Sequence, residues 1–357
     1  MATIYDVAKQ AQVSLSTVSA VVNESAYVSP ALKSRVSGAI RKLGYQPNLL
    51  ARSLATQRTR TLGMIVPNIA NPFWPEVVRG VEDAALAAGY TLLLASSDDD
   101  RAKEAVYLRL FLAKRVDGIL LTKAAGGLDA DLVARLRASR TGMVQLMRAS
   151  ATLSGDKVLV DEEDGSYEGV AHLLRLGYRR VAMINGLENV STSRRRLIGY
   201  RRALKDAGVA FESMLVAPGD FRVEGGYAAG LQLLKRKPDA CFVANYLMAV
   251  GFMRALRQYN LRCPDDVALV SCDDHPWLDS FHPRLTTVNL PKYELGQAGA
   301  RTLLERLEPG EPPVARRPRT MTLKTSLCLR ESCGYELRTR DPRAKSRALF
   351  HREKDPV

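Results

Sequence analysis

The feature that most constrains this chain is a repeated alternation of short apolar segments with amphipathic helical segments, which begins at Leu62. Short apolar runs predict buried strands, and the longer segments between them have the spacing of surface helices. Strands that are connected through helices pair in parallel, because a parallel pair needs a long crossover. The alternation therefore predicts an α/β fold with doubly wound parallel sheets covered on both faces.

The alternation divides into two similar series, which predict two lobes. A final helix over Tyr293–Leu307 and a strand near Thr320–Leu329 follow a proline-flanked connection, so the chain is expected to cross between the lobes again. We place lobe 1 at about residues 61–160 and 291–320, and lobe 2 at about residues 161–290 and 321–334. Two such lobes form a cleft that is lined by loops at the carboxyl ends of the strands.

A different pattern precedes the lobes, where the sequence predicts an all-α module. Thr3 and Asp6 form a capping pair for a short first helix, and Ser14 is placed to cap a second helix over Leu15–Val22. Two short helices joined by a tight turn predict a helix-turn-helix.

The module, residues 1–47, also contains a predicted third helix and has an excess of basic residues. Ser29 and Pro30 can open this helix, and Gly44 is placed as its C-cap. Residues 1–60 carry eight basic residues against two acidic ones, in a chain with a net charge of +14. Such an excess favours double-stranded nucleic acid as a partner, ahead of a membrane surface. A small helical subdomain without a partner is the alternative.

The segments on either side of the lobes are polar. Residues 48–60 form a linker in which Leu49–Ala55 predicts one or two helical turns, and a helix this short forms only when something holds it. This hinge helix is therefore a candidate switch. The basic tail, residues 335–357, is predicted to be disordered.

Several functional classes lack support in the sequence. No apolar run is long enough to span a membrane and the N-terminus has no apolar leader, so we expect a cytoplasmic protein without a membrane partner. The five cysteines have no metal-binding spacing and are expected to be reduced thiols. No dinucleotide-binding, P-loop, GxSxG or HExxH motif occurs, so no catalytic residue, metal or cofactor is predicted and the chain is not expected to be an enzyme.

The order of these parts resembles the LacI/GalR family of bacterial repressors, which includes lactose-repressor-like regulators, from Thr3 to about Gly334. The resemblance implies a lobed domain of the periplasmic-binding-protein-like (type I) class. It is carried by motifs at Thr3–Ala8, Val13–Ser19, Val22–Asn23, Gly44–Asn48, Ala51–Leu54, Asn71–Phe73, Leu176–Arg180, Asp273–Asp274 and Leu285–Val288.

The resemblance implies that the second helix enters the major groove and that the hinge helix inserts Leu54 into the minor groove as an apolar wedge. Many family members have Arg where Ala20 stands, so a bidentate contact to guanine is absent here. Gln12 replaces the usual glycine of the turn. The implied DNA-binding residues are Thr3, Tyr5, Leu15, Ser16, Thr17, Ser19, Ala20, Asn23, Tyr45, Asn48, Ala51, Arg52 and Leu54.

The resemblance also implies an effector in the cleft between the lobes. For Arg196 and Asp273, side-chain chemistry supports a binding role independently of the resemblance. A guanidinium and a carboxylate that face each other can hold the hydroxyls or carboxylate of a polar ligand. Met147 and Tyr246 stand where many members have aspartates, which favours an anionic ligand such as a sugar acid. The implied effector-binding residues are Phe73, Trp74, Arg148, Thr192, Arg196, Phe221, Asn245 and Asp273.

Together these features predict a ligand-responsive repressor that binds a palindromic operator as a homodimer. Its effector is expected to be a sugar, a sugar acid or a nucleoside-like molecule. A transport-associated sugar-binding protein shares the two lobes but lacks the N-terminal module, and a Rossmann enzyme is the third alternative.

Overall fold

The computed structural model describes residues 2–23, 26–46, 58–139, 141–280, 282–308 and 317–340, and the chain divides into two compact units, residues 1–60 and 61–357. In its described residues, the first unit contains α1 (Ile4–Ala11), α2 (Leu15–Asn23) and α3 (Pro30–Leu43). Their apolar faces enclose a small core that includes Val7, Val18 and Val36. The helix-turn-helix therefore has the predicted order.

Local hydrogen bonds explain where the first two helices begin. Thr3 and Asp6 form a complete capping box at the start of α1. At the start of α2, the Ser14 Oγ accepts a hydrogen bond from the Thr17 amide at 3.2 Å. Ser29 occupies the predicted N-cap of α3, although its side chain makes no capping hydrogen bond. Proline at the first helical position still presets the backbone there.

The turn between α1 and α2 is held by a residue from α3. Gln12 has the left-handed backbone that its glycine-like position predicted, with φ of 49°. The Arg35 guanidinium donates hydrogen bonds to the carbonyl oxygens of Ala11 at 2.6 Å and Gln12 at 3.2 Å. These bonds satisfy carbonyls at the end of α1 and fix the angle between the two helices.

The described part of the second unit contains two six-stranded sheets, one in each lobe. The lobe 1 sheet is parallel throughout and has the order β11 (Thr320–Leu323), β5 (Asp156–Val160), β4 (Gly142–Leu146), β3 (Gly118–Leu121), β1 (Thr61–Val66) and β2 (Thr91–Ser96). The lobe 2 sheet has the order β12 (Ser326–Cys328), β10 (Thr286–Asn289), β9 (Ala268–Cys272), β8 (Ala240–Val243), β6 (Val181–Ile184) and β7 (Val216–Ala217). In that sheet β12 is antiparallel to its neighbour, and the other pairs are parallel.

Helices cover both sheets, as the alternation predicted. Lobe 1 carries α4 (Phe73–Ala87), α5 (Arg101–Ala113), α6 (Ala130–Ala138) and α11 (Lys292–Leu307). Lobe 2 carries α7 (Glu162–Arg175), α8 (Ser191–Asp206), α9 (Val223–Leu234) and α10 (Tyr246–Gln258), and α12 (Tyr335–Arg340) ends the described chain. None of the helices in the described ranges is both long and apolar enough to span a bilayer.

Three expectations need correction. The single strand predicted near residues 320–329 is two strands, β11 and β12, which belong to different lobes. Strand β10 was not predicted as a strand. The first six residues of the tail form α12, where the Tyr335 ring lies 6.2 Å from the His172 ring, so the tail is not disordered from its first residue. Residues 341–357 lie outside the described residues.

Within the described ranges, the chain crosses between the lobes three times through very short segments. These are residue 161 between β5 and α7, residues 290–291 between β10 and α11, and residues 324–325 between β11 and β12. The Asp161 amide donates to the Leu323 carbonyl at 2.9 Å and so joins two of the crossings. A hinge movement between the lobes would be absorbed at these few residues.

Within each lobe, neighbouring helices approach so closely that only glycine fits at the contact. A Cβ atom on Gly296 of α11 would lie 2.0 Å from the Val77 carbonyl oxygen of α4. A Cβ atom on Gly251 of α10 would lie 2.1 Å from the Val223 carbonyl oxygen of α9. Each lobe therefore has a pair of helices in backbone contact, which leaves little room for internal rearrangement.

Two buried histidines link the stability of the fold to pH. Burial lowers the pKa of His172 and of His275 to about 4 from the usual 6.5. The His172 Nε2 lies 3.3 Å from the Cys333 Sγ, and His275 stacks on Trp277 with ring centroids 4.5 Å apart. Both rings are therefore neutral in the folded protein at pH 7.

We expect His172→Gln to flatten the dependence of stability on pH. Because the unfolded chain takes up protons below pH 6.5 while the folded chain does not, stability is complete above pH 6.5 and is lost as pH falls towards 4. Each histidine should cost roughly 1–2 kcal/mol between pH 7 and pH 5. Urea unfolding measures the effect, with exposed His282→Gln as the control. Equal slopes in wild type and His172→Gln would contradict the assignment.

Candidate functional site

A cleft lies between the lobes at the carboxyl ends of their strands, where ligands bind in doubly wound folds. All eight residues predicted for the effector line this one cleft: Phe73, Trp74, Arg148, Thr192, Arg196, Phe221, Asn245 and Asp273. They come from six separate loops or helix starts in the two lobes, so the fold brings together residues that are far apart in sequence.

The deepest charge in the cleft belongs to Arg196, which pairs with an acid that was not predicted. Its Nε donates to the Glu162 Oε2 at 2.6 Å, and the two side chains are only 3% and 2% exposed. Arg196 was expected to face Asp273, but Glu162 is its ion-pair partner. Burial raises the pKa of Glu162, although the adjacent guanidinium opposes the shift. The pair fixes the guanidinium plane at the base of the cleft.

Asp273 contributes a carboxylate whose hydrogen-bonding capacity is incomplete. The residue is 3% exposed, and in the described part of the chain its Oδ1 has no hydrogen-bond donor. Burial raises the pKa of this carboxyl, against the opposing effects of Arg196 and Lys292. A buried acceptor without a donor is costly unless another molecule supplies one. The Oδ1 atom is therefore suited to accept a hydrogen bond from a ligand hydroxyl or N–H group.

Aromatic rings form the walls of the cleft. Phe73 and Trp74 make an edge-to-face pair with centroids 4.9 Å apart. The Phe221 ring lies 5.5 Å from the Arg148 guanidinium carbon and 5.9 Å from that of Arg196. Gly186 permits this position, because a Cβ atom there would lie 1.9 Å from Phe221 Cζ. These faces can stack on a flat ring or on the C–H face of a sugar.

A second acid also escaped prediction. Asp99 follows β2 and forms an ion pair with Arg148, whose guanidinium also donates to the Lys123 carbonyl oxygen at 3.1 Å. Asp99 and Glu162 therefore offset the positive charges of Arg148 and Arg196, which weakens the expectation of an anionic ligand. Both acids lie in acidic runs just after a strand, 98–100 and 161–164, and that position is the signal from which they could have been found.

Strained backbone is concentrated around the cleft. Asp99, Met147, Phe221 and Asp273 have positive φ values of 59°, 62°, 62° and 72°. Residues other than glycine rarely adopt this left-handed backbone conformation, and each instance costs on the order of 1–3 kcal/mol. Such strain persists where neighbouring structure holds it and is typical of ligand sites.

The N-terminal module presents several predicted DNA contacts on its surface. Tyr5 and Leu15 have exposed fractions of 68% and 38%, and Ser16 is also exposed. Exposed Thr3 belongs to the capping box, whereas Thr17, Ser19 and Ala20 are half-buried. Tyr45 packs against the small core instead of standing free. The other predicted contacts, Asn48, Ala51, Arg52, Leu54 and the Asn23 side chain, lie outside the described residues.

One exposed aromatic of the module was not predicted as a contact. Tyr27, in the connection between α2 and α3, has an exposed fraction of 91%. No periodic pattern marks it, and only its place beside the second helix could have drawn attention to it. Among the described residues, no three or more His, Cys, Asp or Glu side chains are grouped so that they could hold a metal ion.

We expect Arg196→Met to destabilise the protein by roughly 3–5 kcal/mol, because it leaves the buried Glu162 carboxylate without its partner. The double variant Arg196→Met with Glu162→Leu should recover most of this loss, since both charges are then absent. Urea denaturation of the single and double variants measures the difference. If the double variant were as unstable as Arg196→Met, the ion pair would not be the cause.

Comparisons with known proteins agree with this architecture. Residues 3–48 match the family model of bacterial regulatory proteins, lacI family, and residues 170–333 match that of the periplasmic binding protein-like domain. The HTH-type transcriptional repressor PurR of Photobacterium profundum is 36% identical over 311 residues, which cover 86% of this chain and 92% of that protein.

Two solved structures are similar along nearly the whole chain. The lac repressor dimer bound to operator and the anti-inducer ONPF has a TM-score of 0.80 and 27% identity, with 93% of this chain and 99% of that chain covered. The complex of the transcriptional regulator CelR with cellobiose has a TM-score of 0.70 and 32% identity, with 93% and 100% covered.

Proposed function

Because this chain belongs to the LacI family of bacterial regulatory proteins, we propose that it is a repressor that binds a palindromic operator as a homodimer and that a small polyhydroxylated molecule in the cleft controls it. In this proposal the protein acts by binding and not by catalysis, and it would meet its operator in the cytoplasm. The N-terminal module would read the operator, and the two-lobed unit would receive the effector.

The observation that carries the effector class is the unsatisfied Oδ1 of Asp273 beside the Arg196 guanidinium and the aromatic walls. A sugar supplies hydroxyls that donate to the carboxylate and accept from the guanidinium, and its C–H face packs on Phe221 or Phe73. Because Asp99 and Glu162 already balance two arginines, a neutral sugar suits the cleft better than a sugar acid. The cellobiose bound to CelR supports this class.

A purine or nucleoside is the second candidate, and the aromatic walls favour it. A flat base can stack on Phe221, and its ring N–H groups can donate to Asp273. A thermal-shift screen of sugars, sugar acids, nucleosides and purines separates the candidates, because a ligand at about 100 times its Kd stabilises the protein by roughly 2.7 kcal/mol.

The dimer surface that we propose is the edge of the lobe 1 sheet. Leu93 and Leu94 on edge strand β2 have exposed fractions of 41% and 42%, and Val106 and Leu110 on α5 are also exposed. An apolar edge strand of this kind is suited to be covered by a second copy of the chain. Two copies would present two reading helices to the two halves of a palindrome.

The effector would act through the lobe crossings. A ligand that touches both lobes favours one hinge arrangement, and a ligand shifts the equilibrium only by its differential affinity. The change would then decide whether the hinge helix predicted at Leu49–Ala55, outside the described residues, forms on DNA, with a coupling of about 1–3 kcal/mol. Gel-shift assays against DNA upstream of the protein's own gene test the proposal. Absence of retardation at low salt would overturn it.

We expect Asp273→Asn to weaken effector binding about 10- to 100-fold while operator binding persists. Asparagine keeps the shape and tolerates the left-handed backbone, but it removes the charge that accepts hydrogen bonds from the ligand. Calorimetry with the ligand found in the screen, together with gel shifts, measures both properties. Asp279→Asn, which is in lobe 2 and does not line the cleft, is the control. Unchanged effector affinity would refute the role of Asp273.

We expect Leu54→Ala to weaken binding to the operator several-fold more than binding to non-specific DNA. An apolar wedge contributes only where the duplex is kinked at a chosen step, whereas non-specific binding depends on charge. Competition gel shifts at one salt concentration measure the ratio of the two affinities. Equal losses on both DNAs would exclude the wedge.

A further inference from the structure

A second cavity lies beside the effector cleft and shares Arg148 with it. The first turn of α8 contributes to both cavities, because Thr192 lines the cleft whereas Ser191 lines the second cavity. Lobe 1 supplies loops after β3 and β4, and lobe 2 supplies the start of α8. We call this cavity the basic pocket and define it by Lys123, Arg148, Ser150, Ser191 and Arg194.

The most unusual residue of the basic pocket is Lys123, which is only 6% exposed. Its ammonium group donates to the carbonyl oxygens of Ala124, at 2.9 Å, and Gly126. Glu104 acts on it only at longer range and accepts a hydrogen bond from the Ala124 amide, and no described carboxylate forms an ion pair with Lys123. A buried ammonium without an ion-pair partner is costly, so an anion in the pocket would stabilise it.

The remaining charges leave the pocket positive. Asp99 neutralises Arg148, but Arg194 has no acidic partner among the described residues. The hydroxyls of Ser150 and Ser191 add hydrogen-bonding groups. The 16-residue α8 starts at this pocket without a side-chain cap at Val190, so its first amides and its dipole add to the positive potential.

We propose that the basic pocket binds a phosphate group and that this binding favours the arrangement of the lobes seen here. Lys123 and Arg194 come from different lobes, and a cross-lobe hydrogen bond from the Ala149 amide to the Ser191 Oγ, at 3.1 Å, lies at the same pocket. An anion held by both lobes is a further contact that only this arrangement provides.

The phosphate can come from two sources. Inorganic phosphate would occupy the basic pocket independently of the cleft. Alternatively, the phosphate is carried by the sugar in the cleft, since Arg148 lines both cavities, and this version rests on the proposed function. The two sources share their chemistry at Lys123 and Arg194, so the same variants test both.

The first experiment titrates inorganic phosphate into the full-length protein by calorimetry, with chloride used to keep ionic strength constant. Arg194→Gln removes an exposed pocket charge without disturbing the core, and exposed Arg195→Gln on the same helix is the matched control because Arg195 does not line the pocket. Wild type and Arg195→Gln should bind alike, whereas Arg194→Gln should lose at least about tenfold in affinity. Equal binding by the two variants, or none by wild type, would overturn the proposal.

The second experiment compares ribose with ribose 5-phosphate in wild type, Arg194→Gln and Asp273→Asn. A phosphate carried by the sugar predicts at least about tenfold tighter binding of ribose 5-phosphate, with the advantage lost in Arg194→Gln. A free anion predicts that Asp273→Asn binds inorganic phosphate as wild type does and that the phosphorylated sugar has no advantage. If Asp273→Asn bound ribose as tightly as wild type does, the proposed role of the cleft would be contradicted. The proposed phosphate site would not be affected, because the phosphate titration tests it independently.

Discussion

The buried ion pair between Arg196 and Glu162 is the interaction on which the cleft depends. Glu162 is the first residue after a lobe crossing, and Arg196 lies in the second turn of α8. Their contact therefore fixes the end of that crossing relative to the helix that supplies Thr192 and Ser191. Neither charge can be removed alone without leaving the other buried, which makes the contact costly to break.

The two cavities at the lobe interface differ in whether their charged side chains are paired. In the cleft, Asp99 and Glu162 balance Arg148 and Arg196, so the site offers oriented hydrogen-bonding groups with little excess charge. In the basic pocket, Lys123 and Arg194 have no such acidic partners within the described ranges. A basic sequence therefore does not imply that its ligand cleft is basic, since the fold decides which charges are paired.

Much of the fold followed from the sequence because its signals are local. The capping box at Thr3, the left-handed Gln12 and the alternation of strands and helices all depend on neighbouring residues. The ion pairs do not, because 34 residues separate Arg196 from Glu162 and 49 separate Arg148 from Asp99. The division of residues 320–329 between two sheets likewise depends on where the chain crosses, which a continuous polar and apolar pattern does not reveal.

The glycine contacts at Gly296 and Gly251 bear on how a signal can travel. Because two helices in each lobe are in backbone contact, neither lobe has room to rearrange its helices when a ligand binds. Movement of one lobe relative to the other would then occur at the three crossings, which are residue 161 and residues 290–291 and 324–325. A ligand that contacts both lobes would consequently act on these few peptide units and not on the interior of either lobe.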